Sequence, residues 1–228
     1  MSLVALETLA PGLARLRLRR PDKRNALNQE LLRDAIAAIG AAEETGAAVG
    51  ILAAEGQAFC AGADLREASS TTDSLTMVDL CDRLLDSGIY WIAAVQGAAL
   101  GAGVALAAVC PTTLARKGAW VSLPEISLGM FPAVVVAYLE PRFGTNFAVE
   151  WALAGTRLPA EAEEMRPLFT EVLDSDQFDN RVVEYAERLT ALGAPVAAAR
   201  RAWQTRFSDD WAKCRRLQLF ELMEGGNE

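Results

Sequence analysis

Two short apolar runs, residues 48–54 and 90–95, lead into segments rich in glycine and alanine, and this recurrence constrains the fold more than any other feature. Apolar runs of six or seven residues without alternation suit strands buried on both faces, as in a parallel sheet. Parallel strands need long crossovers, usually helical, and the intervening sequence supplies them. Leu31, Leu32, Ala35, Ile36 and Ile39 recur at helical spacing, with Asn28 placed as a cap and Gly46 as a stop. A second helix is predicted over residues 75–85, after a polar loop at 68–73. Upstream, Ala14-Arg15-Leu16-Arg17-Leu18 alternates as a half-exposed strand does and ends at Pro21-Asp22.

Beyond residue 95 a Gly/Ala-rich segment is suited to start a closely packed helix, and residues 112–121 read as one extended piece. Residues 148–154, 176–192 and, with breaks allowed, 196–223 carry helical patterns, and 168–173 is suited to a last strand. Strands and helices alternate, so the class is α/β. The expected organisation is an α/β core over residues 1–175 and a helical C-terminal region over 176–228. A chain of 228 residues is ample for one core.

Composition narrows the chemistry. The net charge of -8 disfavours nucleic acid and anionic membranes as partners, because both are gripped by neutralising phosphates with basic residues. The longest apolar stretch, residues 89–110, is interrupted by Gln96 and by glycines and reads as strand plus helix rather than a membrane span. The first residues lack a basic start and a long apolar middle, so a cytoplasmic location is expected. The four cysteines have no CxxC spacing and suggest neither a disulfide framework nor a metal site. There is no histidine, which removes Ser-His and Cys-His mechanisms and every imidazole metal site. Proton transfer falls to carboxylates, Lys, Tyr or Cys.

Three segments stand out: Phe59-Cys60-Ala61-Gly62-Ala63-Asp64-Leu65, then Ala94-Val95-Gln96-Gly97-Ala98-Ala99-Leu100-Gly101-Ala102-Gly103, then Leu123-Pro124-Glu125-Ile126-Ser127-Leu128-Gly129. Small residues after a buried strand let the backbone turn sharply and approach a ligand, although they also serve simply to pack helix on sheet. Two N–H groups converging on one oxygen form an oxyanion hole, each donor worth about 3 kcal/mol of transition-state stabilisation. The glycine spacing does not fit Gly-x-Gly-x-x-Gly or a Walker loop, which disfavours a nucleotide-binding module.

In this order, and preceded by Arg20-Pro21-Asp22-Lys23-Arg24-Asn25-Ala26-Leu27-Asn28, the segments resemble the enoyl-CoA hydratase/isomerase (crotonase) superfamily as far as about residue 172. The resemblance implies a spiral of ββα units and an acyl-CoA thioester substrate, coenzyme A being part of that substrate, with no separate cofactor and no metal. It implies homotrimers or dimers of trimers built through the C-terminal helices, whose apolar positions include Leu217, Phe220 and Leu222. The oxyanion-hole donors fall on the N–H groups of Ala63 and Ala102. The coenzyme A pocket falls on Lys23, Arg24, Ala26, Leu27, Ala61, Ala63, Asp64 and Leu65. For Lys23 and Arg24 an ordinary solvated turn remains the plain alternative.

Glu125 lies among apolar neighbours, where desolvation raises a carboxyl pKa and suits acid/base work near neutrality. The resemblance places it at the second of two hydratase glutamates, while the first falls on Ala105, which transfers no proton. Isomerisation of a double bond needs a single base, so isomerase chemistry is favoured over hydration. Phe131-Pro132-Ala133-Val134-Val135 looks closer to hydratases of cyclic acyl-CoA substrates, which keeps an enoyl-CoA or cyclic dienoyl-CoA hydratase open. A noncatalytic relative that binds acyl-CoA or serves assembly is the other alternative.

Overall fold

The computed structural model describes residues 2–66 and 74–207. The expected loop at 68–73, the end of the helix expected over 196–223, Cys214, and Leu217, Phe220 and Leu222 lie outside them. In chain order the elements are β1 (Val4–Ala10), β2 (Leu13–Leu18), α1 (Gln29–Glu44), β3 (Val49–Ala54), β4 (Ala58–Cys60), α2 (Met77–Asp86), β5 (Tyr90–Val95), β6 (Ala98–Leu100) and α3 (Ala102–Val109). Then follow β7 (Thr112–Arg116), β8 (Trp120–Ser122), α4 (Ala133–Phe143), α5 (Thr145–Ala154), β9 (Leu158–Pro159), β10 (Glu171–Leu173), α6 (Phe178–Leu192) and α7 (Ala194–Gln204).

The strands form a six-stranded sheet in the order β1-β2-β3-β5-β7-β10 and a four-stranded sheet in the order β4-β6-β8-β9. Each of β3–β4–α2, β5–β6–α3 and β7–β8–α4 sends its first strand to the large sheet and its second to the small one. The chain therefore advances as a spiral of ββα turns, the α/β architecture expected. The corner between β5 and β6 shows what fixes one turn on the next. A β-carbon on Gly97 would lie 1.9 Å from the Gln57 carbonyl oxygen, so only glycine allows the approach. Beside it, Gln96 Nε2 donates to the carbonyls of Ala54, Gly56 and Ala58 at 3.0, 3.2 and 3.0 Å, tying this corner to the preceding one.

Local chemistry sets the helices. Asn28 Oδ1 caps α1 by accepting from Leu31 N at 3.0 Å, as its side chain predicts, and Thr76 and Asp79 form a capping box on α2. Leu31, Leu32, Ala35, Ile39 and Ala42 make the buried face of α1. α3 is buried along its whole length, so it has no polar face. On the other side of the large sheet, Phe178, Val182 and Ala186 of α6 pack with Leu13, Ile51, Ile92 and Leu114.

The structure departs from the sequence pattern in several places. The extended piece at 112–121 is two strands, broken where Gly118 takes φ +85°. The small-residue segments each contain a short strand, β4 and β6, before the turn. β1 is an additional strand, paired antiparallel with β2. α4 is an additional helix whose β-branched start and internal Pro141 mask its periodicity. Among the described residues no helix is long and apolar enough to cross a membrane.

Candidate active site

The three small-residue segments follow three neighbouring strands. β4 pairs parallel with β6, and β6 with β8 in the register Leu100↔Ser122. Their C-terminal ends therefore lie side by side, and the residues just beyond them, Ala61–Ala63, Gly101–Ala102 and Leu123–Glu125, gather at one edge of the small sheet.

The first two segments touch. Gly62 takes φ +90°, and a β-carbon there would lie 3.0 Å from the Leu100 carbonyl oxygen and 3.7 Å from the Ala102 nitrogen. Gly103 approaches just as closely: its β-carbon would lie 2.3 Å from the Cys60 carbonyl oxygen. These contacts bring the Ala63 and Ala102 amides into the same small region. Ala63 sits in an isolated parallel bridge with Leu27, whose two hydrogen bonds use Gly62 O (2.8 Å from Leu27 N) and Asp64 N (3.0 Å from Leu27 O). The bridge leaves the Ala63 N–H out. Ala102 is the first residue of α3, where an N–H has no intrahelical acceptor. Among the described residues neither N–H has a hydrogen-bond partner.

Glu125 reaches this region from the third segment. Gly101 N donates to Ser122 O at 3.0 Å, and β8 then passes through the fully buried Leu123 into a short 3-10 turn, Pro124–Leu128. Pro124 opens that turn, Gly129 closes it at φ +76°, and the Glu125 carbonyl accepts from Met130 N at 3.1 Å. The turn rests on the end of α5, where a β-carbon on Gly155 would lie 2.8 Å from the Ile126 side chain. The Glu125 side chain folds back onto Gly101. A β-carbon on Gly101, which has φ +48°, would lie 2.0 Å from Glu125 Oε1. Oε2 is buried and among the described residues has no hydrogen-bond partner. Desolvation pushes this carboxyl above the usual glutamate value, partly offset by the Glu125 backbone N–H. A carboxyl with an idle oxygen beside two idle N–H donors is equipped to move a proton next to a stabilised oxyanion.

Ala105 is fully buried, one helical turn beyond Gly101 and so on the same face of α3 as the glycine that seats Glu125. The Cys60 and Cys110 thiols are both pushed up to about 12 by burial, so neither supplies a thiolate near neutral pH. The Tyr138 hydroxyl donates to Asp82 at 3.0 Å.

The segment 23–27 runs alongside 61–64: Ala61 N donates to Arg24 O at 3.0 Å, and Leu27 bridges Ala63. Ala26 is half-buried and Leu27 buried, while Lys23, Arg24 and Leu65 are exposed. Asp64 is engaged by the protein itself. Its Oδ2 accepts from Arg20 Nη1 at 2.6 Å, both side chains being about nine-tenths buried, and Arg20 Nη1 also donates to Ala26 O at 3.0 Å. The Arg20 guanidinium holds the Asp64 carboxyl below the usual aspartate range. A cleft of about 680 Å³, lined by Pro21, Arg24, Ala61, Gly97, Leu100 and Trp120 among others, meets the site at Ala61 and Leu100 and does not include Glu125.

Three residues that position the site were not singled out from the sequence. Gly101 seats the carboxyl, and Arg20 holds Asp64. Asn25, fully buried at φ +54°, donates through Nδ2 to Glu55 O and Ala58 O and accepts from Arg20 N. A legible signal for Asn25 was its residue type in a turn, since asparagine tolerates positive φ.

A family model described as enoyl-CoA hydratase/isomerase matches residues 8–222. The chain is 33% identical over 219 residues to the 2,3-dehydroadipyl-CoA hydratase of Escherichia coli (strain K12), covering 91% of this chain and 85% of that one. It is 34% identical over 183 residues to the peroxisomal bifunctional enzyme of Homo sapiens, covering 78% of this chain and 25% of that enzyme, so it matches one quarter of that longer protein. The crystal structure of an enoyl-CoA hydratase from Bacillus anthracis is similar with a TM-score of 0.80 at 25% identity, over 96% of this chain and 90% of that one.

Proposed function

The chain belongs to the enoyl-CoA hydratase/isomerase family, and from that premise we propose that it moves the double bond of an enoyl-CoA thioester, with Glu125 as the single proton carrier. The thioester oxygen takes hydrogen bonds from the Ala63 and Ala102 N–H groups. The Glu125 carboxylate removes a proton from C2 of a 3-enoyl thioester, and the C–H electron pair moves into the conjugated system and onto the thioester oxygen. The neutral Glu125 carboxyl then returns the proton to C4, leaving a 2-enoyl thioester. The residues of 23–27 and 61–65 hold the coenzyme A portion, the backbone of Ala61 and Ala63 more than the Asp64 carboxyl, which Arg20 occupies.

The observation that carries this reading is the pairing of a buried Glu125 Oε2, without a hydrogen-bond partner among the described residues, with a fully buried alanine at residue 105. Hydration in the manner of two carboxylates would need a second acidic group to hold the water. The test is incubation of purified protein with 3-enoyl-CoA and 2-enoyl-CoA thioesters in deuterated water, followed by mass spectrometry. Double-bond migration with deuterium at C2 or C4 supports the reading, and absence of both migration and exchange overturns it.

Hydration is the second reading, favoured by the Escherichia coli relative, which is named a hydratase. Rapid addition of water to a 2-enoyl or cyclic dienoyl thioester in the same experiment would place it first. A purely binding or assembly role would leave every thioester unchanged while binding persists.

A further inference from the structure

The end of α3 remote from Glu125 carries an unusual cap. Arg142 of α4 donates through Nε to Ala108 O at 2.9 Å and through Nη2 to the carbonyls of Cys110 and Pro111. Its Nη1 donates to Pro167 O at 2.9 Å. Trp203 Nε1 takes Val109 O at 2.8 Å, Thr113 Oγ1 takes Ala107 O at 2.9 Å, and the Arg142 guanidinium lies 4.6 Å from the centre of the Trp203 ring. The last carbonyls of α3 are thus all taken by side chains, and the one charged group among them is Arg142. Among the described residues it has no carboxylate partner. Desolvation lowers its pKa to about 10, which leaves it cationic at neutral pH.

Neutral donors would satisfy those carbonyls equally well as hydrogen bonds. What a cation adds is a field. α3 has eight residues, all buried and none charged, so it spans about 12 Å of low-dielectric interior between Arg142 and the Ala102 N–H. A positive charge at the C-terminus cancels the negative pole of the helix and adds its own positive potential at the N-terminus.

We propose that Arg142 is a positioning residue for the oxyanion hole, acting through α3 to strengthen the Ala102 N–H as a stabiliser of negative charge on the thioester oxygen. This rests on the site assigned under Proposed function. At an effective dielectric constant of about 20, a unit charge about 12 Å away changes an oxyanion-forming step by roughly tenfold. Arg142 is only half-buried, so solvent screening reduces this to about three- to tenfold.

The experiment compares Arg142→Met, Arg142→Gln and Arg142→Lys with the parent, measuring kcat and KM on the thioester the parent turns over and the infrared carbonyl stretch of a bound, 13C-labelled acyl-CoA thioester. Methionine and glutamine should lower kcat about three- to tenfold at nearly constant KM and weaken the carbonyl shift. Lysine should restore most of both, because it keeps the charge while losing the planar fork. Glutamine keeps donors for the helix carbonyls, so it decides the matter if methionine does not fold. Equal losses in lysine and glutamine would make the role one of shape and overturn the proposal, as would an unchanged kcat and carbonyl shift in glutamine. A parent that binds the thioester without shifting its carbonyl stretch would instead overturn the oxyanion-hole assignment on which the proposal stands.

Discussion

Glu125 Oε1 occupies the space where a β-carbon of residue 101 would be, 2.0 Å from that ideal position, so Gly101 is the seat of the Glu125 carboxyl as well as the turn that opens α3. The same residue also adopts φ +48°, which a side chain disfavours. Gly101→Ala is therefore expected to displace the carboxyl and tilt the Ala102 N–H together, lowering turnover about a hundredfold. Circular dichroism should show a folded protein, and steady-state kinetics reads the loss. Near-parental turnover would mean that the carboxyl does not need this seat.

Glu125→Gln keeps size and removes basicity. Turnover should fall about a hundredfold or more, while acyl-CoA affinity by calorimetry changes little. Full turnover would shift the proton transfer to another group.

The same variant has an opposite effect on stability. The folded-state pKa of Glu125 is raised, so its contribution to stability is fully present below the ordinary value of 4.5 and is lost as pH rises through the folded value. At neutral pH the buried carboxylate is a cost that glutamine does not carry. The melting temperature of Glu125→Gln should exceed that of the parent at pH 7, and the two should converge near pH 4. A gap that persists unchanged at pH 4 would mean that desolvation of this carboxyl is not its source.

Asp64 behaves in the reverse sense. Arg20 depresses its pKa, so the ion pair stabilises the fold above the ordinary aspartate value and is lost as pH falls through the depressed one. Asp64→Asn removes the ion pair between Arg20 and Asp64 that ties segment 20–26 to segment 61–64. A loss of about 2 kcal/mol in urea unfolding at pH 7 is expected, shrinking in acid as the parent loses the same pair. Because Arg20 also holds Ala26 O, KM for the thioester should rise more than kcat falls.

Ala105→Glu returns a carboxylate to the face of α3 that carries Gly101. The new side chain enters a fully buried site, so overpacking and charge burial should cost about 3 kcal/mol. In the surviving folded fraction, water addition to 2-enoyl-CoA should rise relative to isomerisation. A variant that folds with no change in that ratio would remove Ala105 from the account of reaction choice.

The protein should sediment at micromolar concentration as a trimer or a dimer of trimers. Exposed Leu153 and Leu192, at 55% and 52%, are apolar surfaces among the described residues that such an assembly could cover. A monomer across the concentration range would dispose of the assembly.

Much was legible in the sequence because its signals are short-range. The apolar runs became β3 and β5, Asn28 became the cap of α1, and the missing histidines left the proton transfer to other side chains before any fold was known. The family resemblance carried by the three small-residue segments was enough to nominate Ala63, Ala102 and Glu125. Tertiary structure decided how they meet. Glu125 reaches Gly101, twenty-four residues earlier, because β6 and β8 pair in one register and Ser122 receives the Gly101 N–H. A shift of one residue would turn every side chain of a strand to the other face, and nothing local in either segment encodes that choice. The same holds for Asp64, whose carboxyl goes to Arg20 across forty-four residues. It holds too for α3, whose apolar sequence gives no hint that a guanidinium on α4 closes its far end. Local periodicity determines elements, whereas the partners of a buried polar atom are set by packing between segments remote in the chain.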